Sequence, residues 1–576
     1  MITRLVLLVF GATLAAQAQP AAKKSTTAKP VAASSVSIAR AQIKQLTLRQ
    51  KVAQLVIAVS YGEMPPRRSK EFLRLDRAVR VLGVGGLIVV NGVDRSGVKS
   101  ANPQEMIGFL NRMQKLSKLP LIVGADFERG ASMRVSNTTK YPHNMAFAAT
   151  GDLASTHRLG AATAREARTL GVHWVFAPVA DVNNNPDNPI INIRSFGQNP
   201  NDVAEHVKAY IAGARSDPAY KVLLCVKHFP GHGDTEVDSH RGMPLIEASR
   251  ERLNRVELVP FRAAIAAKVD SIMTGHFSVP ALEPEAIPAT VSKNVMTKLL
   301  RQELKFEGLL TTDAMDMAGL SKMFSGGESA VRALEAGVDV LLMPRSPEVV
   351  VEAVVQAVLK KRLTVQRIEK SVEKLLVAKA DLGLFSKRLV NADVAPDFLD
   401  TEEDNEAARN VANRSVAIFK NEANLVPVRN LDQSCIVVLA ERRTTTQGLV
   451  FLEEMAKLAP KASVVLLDPT MPQGALDEVQ ANGANCSLIV VAAFAALGSY
   501  RGASLPGKFP ALVDGLIASG KPVVLLSLGN PYLLNSFPKV KAYITTYSTV
   551  QASETAAARA LVGEIPITGH RVISLK

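Results

Sequence analysis

The segment Lys227-His228-Phe229-Pro230-Gly231-His232-Gly233-Asp234-Thr235-Glu236-Val237-Asp238-Ser239-His240 packs three histidines, one lysine and three carboxylates into fourteen residues. Histidine is the side chain that best gives and takes a proton near neutral pH. A carboxylate two residues away in a loop can hold one ring nitrogen and stabilise the imidazolium, whereas on a helix the two side chains would diverge. Asp238 and His240 therefore form a candidate proton-transfer pair. Gly231 and Gly233 give the segment a permissive backbone on which a loop can approach a substrate. A second candidate is Asp313, in Leu309-Leu310-Thr311-Thr312-Asp313-Ala314-Met315-Asp316, which follows an apolar run and suits a nucleophile or electrostatic stabiliser. Asp316, three residues on, reads as a cap or first-turn residue of the next helix.

A zinc reading of His228, His232, Asp234 and His240 competes with this one. Pro230 and Gly231 break any helix that would align the first two histidines, so a metal is not expected.

The elements that would position these residues follow from the hydrophobic pattern. Apolar runs read as strands at Val52–Ser60, Gly86–Asn91, Leu121–Asp126, Trp174–Asp181, Val222–His228, Ser271–His276, Leu309–Asp313 and Val338–Met343. Amphipathic stretches alternate with them, among them Pro103–Leu116, Ser155–Thr169, Asp202–Ala214, Arg252–Ala267 and a last long one at Glu348–Leu382. Eight strand-then-helix units predict an α/β fold of the (β/α)8 barrel type over residues 37–386. An open doubly wound sheet is the alternative, but no Gly-x-Gly-x-x-Gly follows the first strand. In a barrel, chemistry gathers at the C-terminal ends of the strands. Asp126, Glu128, Asp181, Lys227, His228, His276 and Asp313 all fall where an apolar run stops. After an irregular stretch at 387–401, a helix at Glu402–Val416 opens a second, smaller layered α/β domain over 402–576. Its strands are expected at Ile436–Ala440, Ser463–Leu467, Leu488–Ala493, Val523–Ser527 and Ala542–Thr546.

Composition bounds the rest. With 576 residues, 47% hydrophobic and 21% charged, the chain is too long for one core and too apolar for disorder. Lys and Arg exceed Asp and Glu by 68 − 53 = 15. That excess suits an anionic partner, but no dense Lys/Arg tract of a nucleic-acid binder is present. Cys225, Cys435 and Cys486 imply neither a disulfide framework nor a cysteine metal cluster. Arg4, the apolar Leu5–Ala16 and the small-x-small Ala16-Gln17-Ala18 form an export-signal pattern over 1–18, followed by a polar linker at 19–36. The expectation is a periplasmic or secreted protein with no stable membrane insertion once the signal is removed.

The long histidine motif, together with Thr312-Asp313-Ala314-Met315, resembles the glycoside hydrolase family 3 β-N-acetylhexosaminidases of bacteria. Ala177-Pro178-Val179-x-Asp181 and Arg194-Ser195-Phe196-Gly197 are similar to the same family. So are Arg414-Ser415-Val416-x-x-Phe419-Lys420-Asn421 and Ala560-Leu561-Val562-Gly563-Glu564 in the second domain. The resemblance implies a retaining exo-enzyme without cofactor, acting on carbohydrate that ends in N-acetylglucosamine, of cell-wall or chitin origin. It implies Asp313 as nucleophile, His240 as acid/base and Asp238 as the residue that orients it. It also implies that Asp126, Arg134, Arg194, Lys227 and His228 hold sugar hydroxyls. The chain departs from the family's Asp-x-Glu-Gly-Gly by carrying Arg129 in Asp126-Phe127-Glu128-Arg129-Gly130. Glucosidases and xylosidases of the family take their acid from a glutamate of the second domain and lack the Asp-x-His loop. A non-catalytic glycan-binding protein on the same barrel would be expected to lose Asp313 or His240, and both stand here.

Overall fold

A computed structural model describes residues 34–94, 97–495 and 505–575. The expected signal segment and most of the linker lie outside the described residues. The last linker residues do not: Ser34 caps a helix, Ser35–Gln45, by accepting from Ser37 N.

Eight parallel strands follow, each where an apolar run predicts one: β1 Val56–Ser60, β2 Gly86–Val89, β3 Ile122–Ala125, β4 Trp174–Val175, β5 Leu223–Phe229, β6 Ser271–Thr274, β7 Leu309–Thr312 and β8 Leu341–Leu342. Their spatial order is β8-β1-β2-β3-β4-β5-β6-β7. A parallel bridge between Thr311 and Val340 closes β7 onto β8, so the sheet forms a barrel.

Several elements are shorter than the hydrophobic runs. Val52–Gln54 belong to a helix, Leu48–Gln54, because Thr47 and Gln50 form a reciprocal capping box ahead of it. The ladder of β4 stops at Val175, three residues before Pro178, which has no N–H to donate. The last barrel stretch is two helices, Pro347–Leu359 and Val365–Asp381. Between them Lys361 takes a left-handed φ of 62°, and Thr364 caps the second by accepting from Arg367 N. The expected Arg252–Ala267 helix is likewise split, into Arg250–Arg255 and Leu258–Ala266.

Side chains of the strands alternate between two layers. Ile57, Ile88, Ile122, Trp174, Phe176, Leu223, Cys225, Met273 and Leu309 fill the barrel, where Leu375, Leu382 and Leu384 of the last helical segment join them. Val56, Ala58, Val123, Leu224, Val226 and Leu310 pack outward beneath the helices. Gly124 has an inward position where an added Cβ would stand 2.6 Å from the Phe176 ring, so the filling of the barrel depends on its lack of a side chain.

The second domain has six strands: β9 Ala417–Asn421, β10 Ser434–Leu439, β11 Ser463–Leu467, β12 Leu488–Ala495, β13 Val523–Gly529 and β14 Ala542–Thr545. Their order is β9-β14-β13-β12-β10-β11, parallel except for the edge strand β9. Alternate residues of β10 and β12 enter separate cores on the two faces, Ile436, Val438 and Val490 on one and Val437, Leu439 and Val491 on the other. The edge strand is absent from the sequence expectation because its residues are only half-buried and carry no clean apolar run. The cysteine expectation also needs correction. Cys435 and Cys486 come together with Cα atoms 5.8 Å apart and form a disulfide, across 51 residues that hide the pairing in the sequence.

Candidate active site

The inward period of each strand continues past its apolar end. Ile122, Gly124 and Asp126 share one face of β3 and its extension, Leu223, Cys225 and Lys227 one face of β5, and Leu309, Thr311 and Asp313 one face of β7. Three strands thus each deliver one ionisable group to the barrel mouth, two residues beyond the last hydrocarbon layer. A cavity of about 370 Å³ opens there, within the size range of small-molecule sites. Asp126, Arg134, Arg194, Lys227, His228, His240 and Asp313 all line it. Asp238 stands behind His240.

The floor is a tight ionic lattice. The Lys227 ammonium is 2.7 Å from both Asp126 Oδ1 and Glu128 Oε1. Arg194 donates through Nε to Glu128 Oε2 at 3.0 Å and through Nη2 to Oε1 at 2.7 Å. Arg134 Nη2 donates to Asp126 Oδ2 at 2.9 Å, and its Nη1 to Asn91 Oδ1 at 2.7 Å. Burial alone would raise the pKa of Asp126, but Lys227 and Arg134 overcome it and bring the group to about 2. Burial likewise opposes ionisation of Glu128, and Arg194 and Lys227 hold it well below the usual carboxylate range. Every polar head in this lattice is fixed by another, so a bound hydroxyl would meet donors and acceptors already oriented.

Asp181 organises the second wall. Fully buried, it accepts from the His228 ring at Nδ1 (2.7 Å) and from the amides of His228 (3.2 Å) and His232 (2.7 Å). The His228 ring is thereby turned with Nε2 toward the cavity, 3.4 Å from Arg194 Nη2. His232 has its two ring nitrogens against Thr235 Oγ1 and Ser239 Oγ, at 3.0 and 3.2 Å, and braces the loop.

The Asp238–His240 pair has the geometry its spacing predicts. Asp238 Oδ1 accepts from the His240 amide at 2.9 Å and lies 2.8 Å from ring Nδ1. The Asp238 side chain is 2% exposed and that of His240 52%, so a buried anion holds a ring whose other face meets solvent. The hydrogen bond to Asp238 raises the His240 pKa, and burial only partly opposes it. Burial also works against ionisation of Asp313, yet His228, His276, the Ala314 N–H and Lys227 together hold its pKa below the ordinary value. Ala314 N donates to Asp313 Oδ1 at 2.7 Å. One cavity therefore contains an ionised carboxylate and a histidine favoured in its protonated form. Asp316, by contrast, is raised by burial and lies outside this cavity, beside Arg345.

Among further residues of the site, Glu128 lines the cavity and Asp181 lies behind it, and their position at a strand end is the only signal the sequence carries for them. His143 and Asn144 also line it and carry no sequence signal, because they sit at the start of a short helix, Asn144–Ala149, away from any strand end. His143 carries the second domain to the site: its ring Nδ1 is 3.0 Å from Ser548 Oγ. Nearby, Asn183 Nδ2 donates to Tyr532 OH at 3.0 Å and Asn192 Nδ2 to Asn530 Oδ1 at 3.1 Å. Arg129 does not distort its loop. The left-handed φ, +92°, falls on Gly130, and Arg129 Nη1 donates to Tyr141 O at 3.2 Å.

Comparison with known proteins follows the same lines. Residues 47–378 match the profile of the glycosyl hydrolase family 3 N-terminal domain. The chain is 37% identical over 303 residues to "Beta-hexosaminidase A" of Pseudoalteromonas piscicida, covering 49% of this chain and 48% of that one. It thus spans about half the length of that relative. It is 30% identical over 398 residues to "Beta-N-acetylglucosaminidase/beta-glucosidase" of Cellulomonas fimi, covering 68% and 67%. Among solved structures, the glycoside hydrolase family 3 beta-N-acetylglucosaminidase of Paenibacillus sp. str. FPU-7 superposes with a TM-score of 0.80 at 30% identity, over 92% of this chain and 99% of that one.

Proposed function

The chain belongs to glycosyl hydrolase family 3, and from that premise we propose that it is a retaining exo-β-N-acetylhexosaminidase that releases terminal N-acetylglucosamine from cell-wall or chitin-derived saccharides. The observation that carries the reading is the Asp238–His240 contact at 2.8 Å on the rim of the cavity that Asp313 lines. Asp313 attacks the anomeric carbon to form a glycosyl ester, while His240 gives its proton to the leaving oxygen. In the second half, His240 takes a proton from the acceptor, which attacks the anomeric carbon and frees Asp313. The ionic lattice of Asp126, Glu128, Arg134, Arg194 and Lys227, with His228, holds the sugar hydroxyls.

Incubation of the full-length protein with the p-nitrophenyl β-glycosides of N-acetylglucosamine and glucose tests the reading. Faster release from the N-acetylglucosaminide is expected. Release from the glucoside alone would sink the assignment, and release from neither would favour a glycan-binding protein. A second reading, activity on both glycosides, is supported by the double name of the Cellulomonas fimi relative. Product analysis in phosphate buffer separates water from phosphate as the acceptor, by looking for the sugar 1-phosphate. We infer export from the Arg4–Ala18 pattern. N-terminal sequencing of the protein produced with its leader should find Gln19 first.

A further inference from the structure

Arg129 is the one guanidinium lining the cavity that enters none of its ion pairs among the described residues. Arg134 is paired with Asp126, Arg194 with Glu128, and Lys227 with both. The Glu128 carboxylate beside Arg129 already has Arg194 on both of its oxygens and Lys227 on one. Arg129 has a single hydrogen bond there, to Tyr141 O at 3.2 Å. That bond fixes one end of a side chain that lines the cavity. Arg129 therefore stands outside the paired set that Arg134, Arg194 and Lys227 form with Asp126 and Glu128. Burial pulls the Arg129 pKa down to about 10, which still leaves it charged at neutral pH. A desolvated cation that only shares the charge of Glu128 with Arg194 and Lys227 is costly, and a ligand anion would offset that cost.

We propose that Arg129 is a specificity residue that pairs an oxyanion, carboxylate or phosphate, carried on the bound saccharide. This rests on the sugar-binding reading of the pocket and deepens it by naming a charged substrate class. A neutral sugar would fill the lattice floor and leave Arg129 unpaired. An anionic substituent reaching the Tyr141–Asn144 wall would pair with Arg129 through two parallel N–H···O bonds, which a planar guanidinium can form and an ammonium cannot.

The test is calorimetric titration of the full-length protein with N-acetylglucosamine, N-acetylglucosamine 6-phosphate and N-acetylmuramic acid, and separately with inorganic phosphate. The wild type should bind at least one anionic sugar about tenfold tighter than the neutral one. R129G and R129Q should lose that preference, and R129K should keep part of it. Thermal midpoints within a few degrees of wild type show that the variants are folded, and R129Q, which retains bulk at the loop, guards against a backbone effect of glycine. Equal affinities in the wild type, or a preference that persists in both R129G and R129Q, would overturn the proposal. So would inorganic phosphate that binds beside the neutral sugar without competing with either anionic one, since the occupant would then be a free anion. The pair glucose and glucuronic acid is titrated in parallel. If the nitrophenyl assay shows a glucosidase, the charge preference is read from that pair, and the two failures stay distinct.

Discussion

Asp238 and His240 form a unit in which the anion is buried and the cation reaches solvent, and that asymmetry sets the direction of the pH response. The raised His240 pKa keeps the ring protonated further into the neutral range than an isolated histidine. For a general acid, kcat/KM falls as this group loses its proton, so the alkaline limb reports it. Asp238→Asn removes the main cause of the shift and should move that limb to lower pH, with a loss of rate because the ring is less firmly aimed. An unmoved limb would dissociate the pair from the chemistry. His240→Ala should lower kcat on N-acetylglucosaminides by about 10²–10⁴-fold, the usual worth of a positioned proton donor. The loss should be smaller for a p-nitrophenolate leaving group, which needs little protonation, and a comparison of the two aglycones checks this.

At the scale of elements, the loop that carries the histidine motif is held by very close backbone contacts. Gly233 lies against Val182, whose carbonyl oxygen would be 1.7 Å from an added Cβ. Similar proximity joins the helices Leu153–Leu170 and Pro200–Ala214, which cross over two glycines. A Cβ on Gly160 would be 2.2 Å from Tyr210 O, and one on Gly213 would be 1.8 Å from His157 O. Gly213→Ala must push these helices apart and should destabilise the barrel by about 1–3 kcal/mol, the range of overpacking in a filled core. Chemical denaturation should show the lower midpoint, with activity per folded molecule little changed, since neither helix reaches the mouth. The lengths of the predicted strands erred for a related reason. Hydrophobic runs register burial, and residues such as Val52 and Ala53 are buried on a helix as completely as they would be on a strand.

Across the whole molecule, the two domains share a polar interface next to the site and a second one around the connecting segment. Glu166 lies in the latter, accepting through Oε1 from Thr139 N and Oγ1, both at 3.0 Å, and from Asp400 N at 3.3 Å. Burial raises its pKa from 4.5 to about 7 despite these bonds. A carboxyl raised on folding binds more protons in the native state, so its contribution is fully present below pH 4.5 and is lost as the pH rises through about 7. Glu166→Gln should therefore flatten the stability profile across that window, and unfolding midpoints at pH 4.5 and 7.5 measure it. At the other interface, Tyr532→Phe takes the acceptor from the buried Asn183 amide and should cost about 1–3 kcal/mol of stability. An accompanying fall in kcat would show that the second domain helps to set the loop that carries Asn183.

Local physics in the sequence placed the eight barrel strands, though not their ends, five of the six strands of the second domain, and the strand-end groups Asp126, Lys227, His228 and Asp313. Alternating hydrophobicity marks a buried strand, and a polar residue just after it marks a strand end. The aspartate two residues before His240 needs only a loop to reach the ring. Only the tertiary structure decided which charges meet. The Lys227 contact with Asp126 joins residues 101 apart and that of Arg194 with Glu128 residues 66 apart. Such pairings depend on barrel closure and on which face each strand turns inward, and no local pattern encodes them. The same holds for Cys435 and Cys486, for His143 against Ser548, and for Arg129. In the sequence Arg129 is a departure from a glycine; in the fold it is a cation whose neighbours are already engaged. The chain specifies the groups, and the closed barrel specifies their distances and which of them pair.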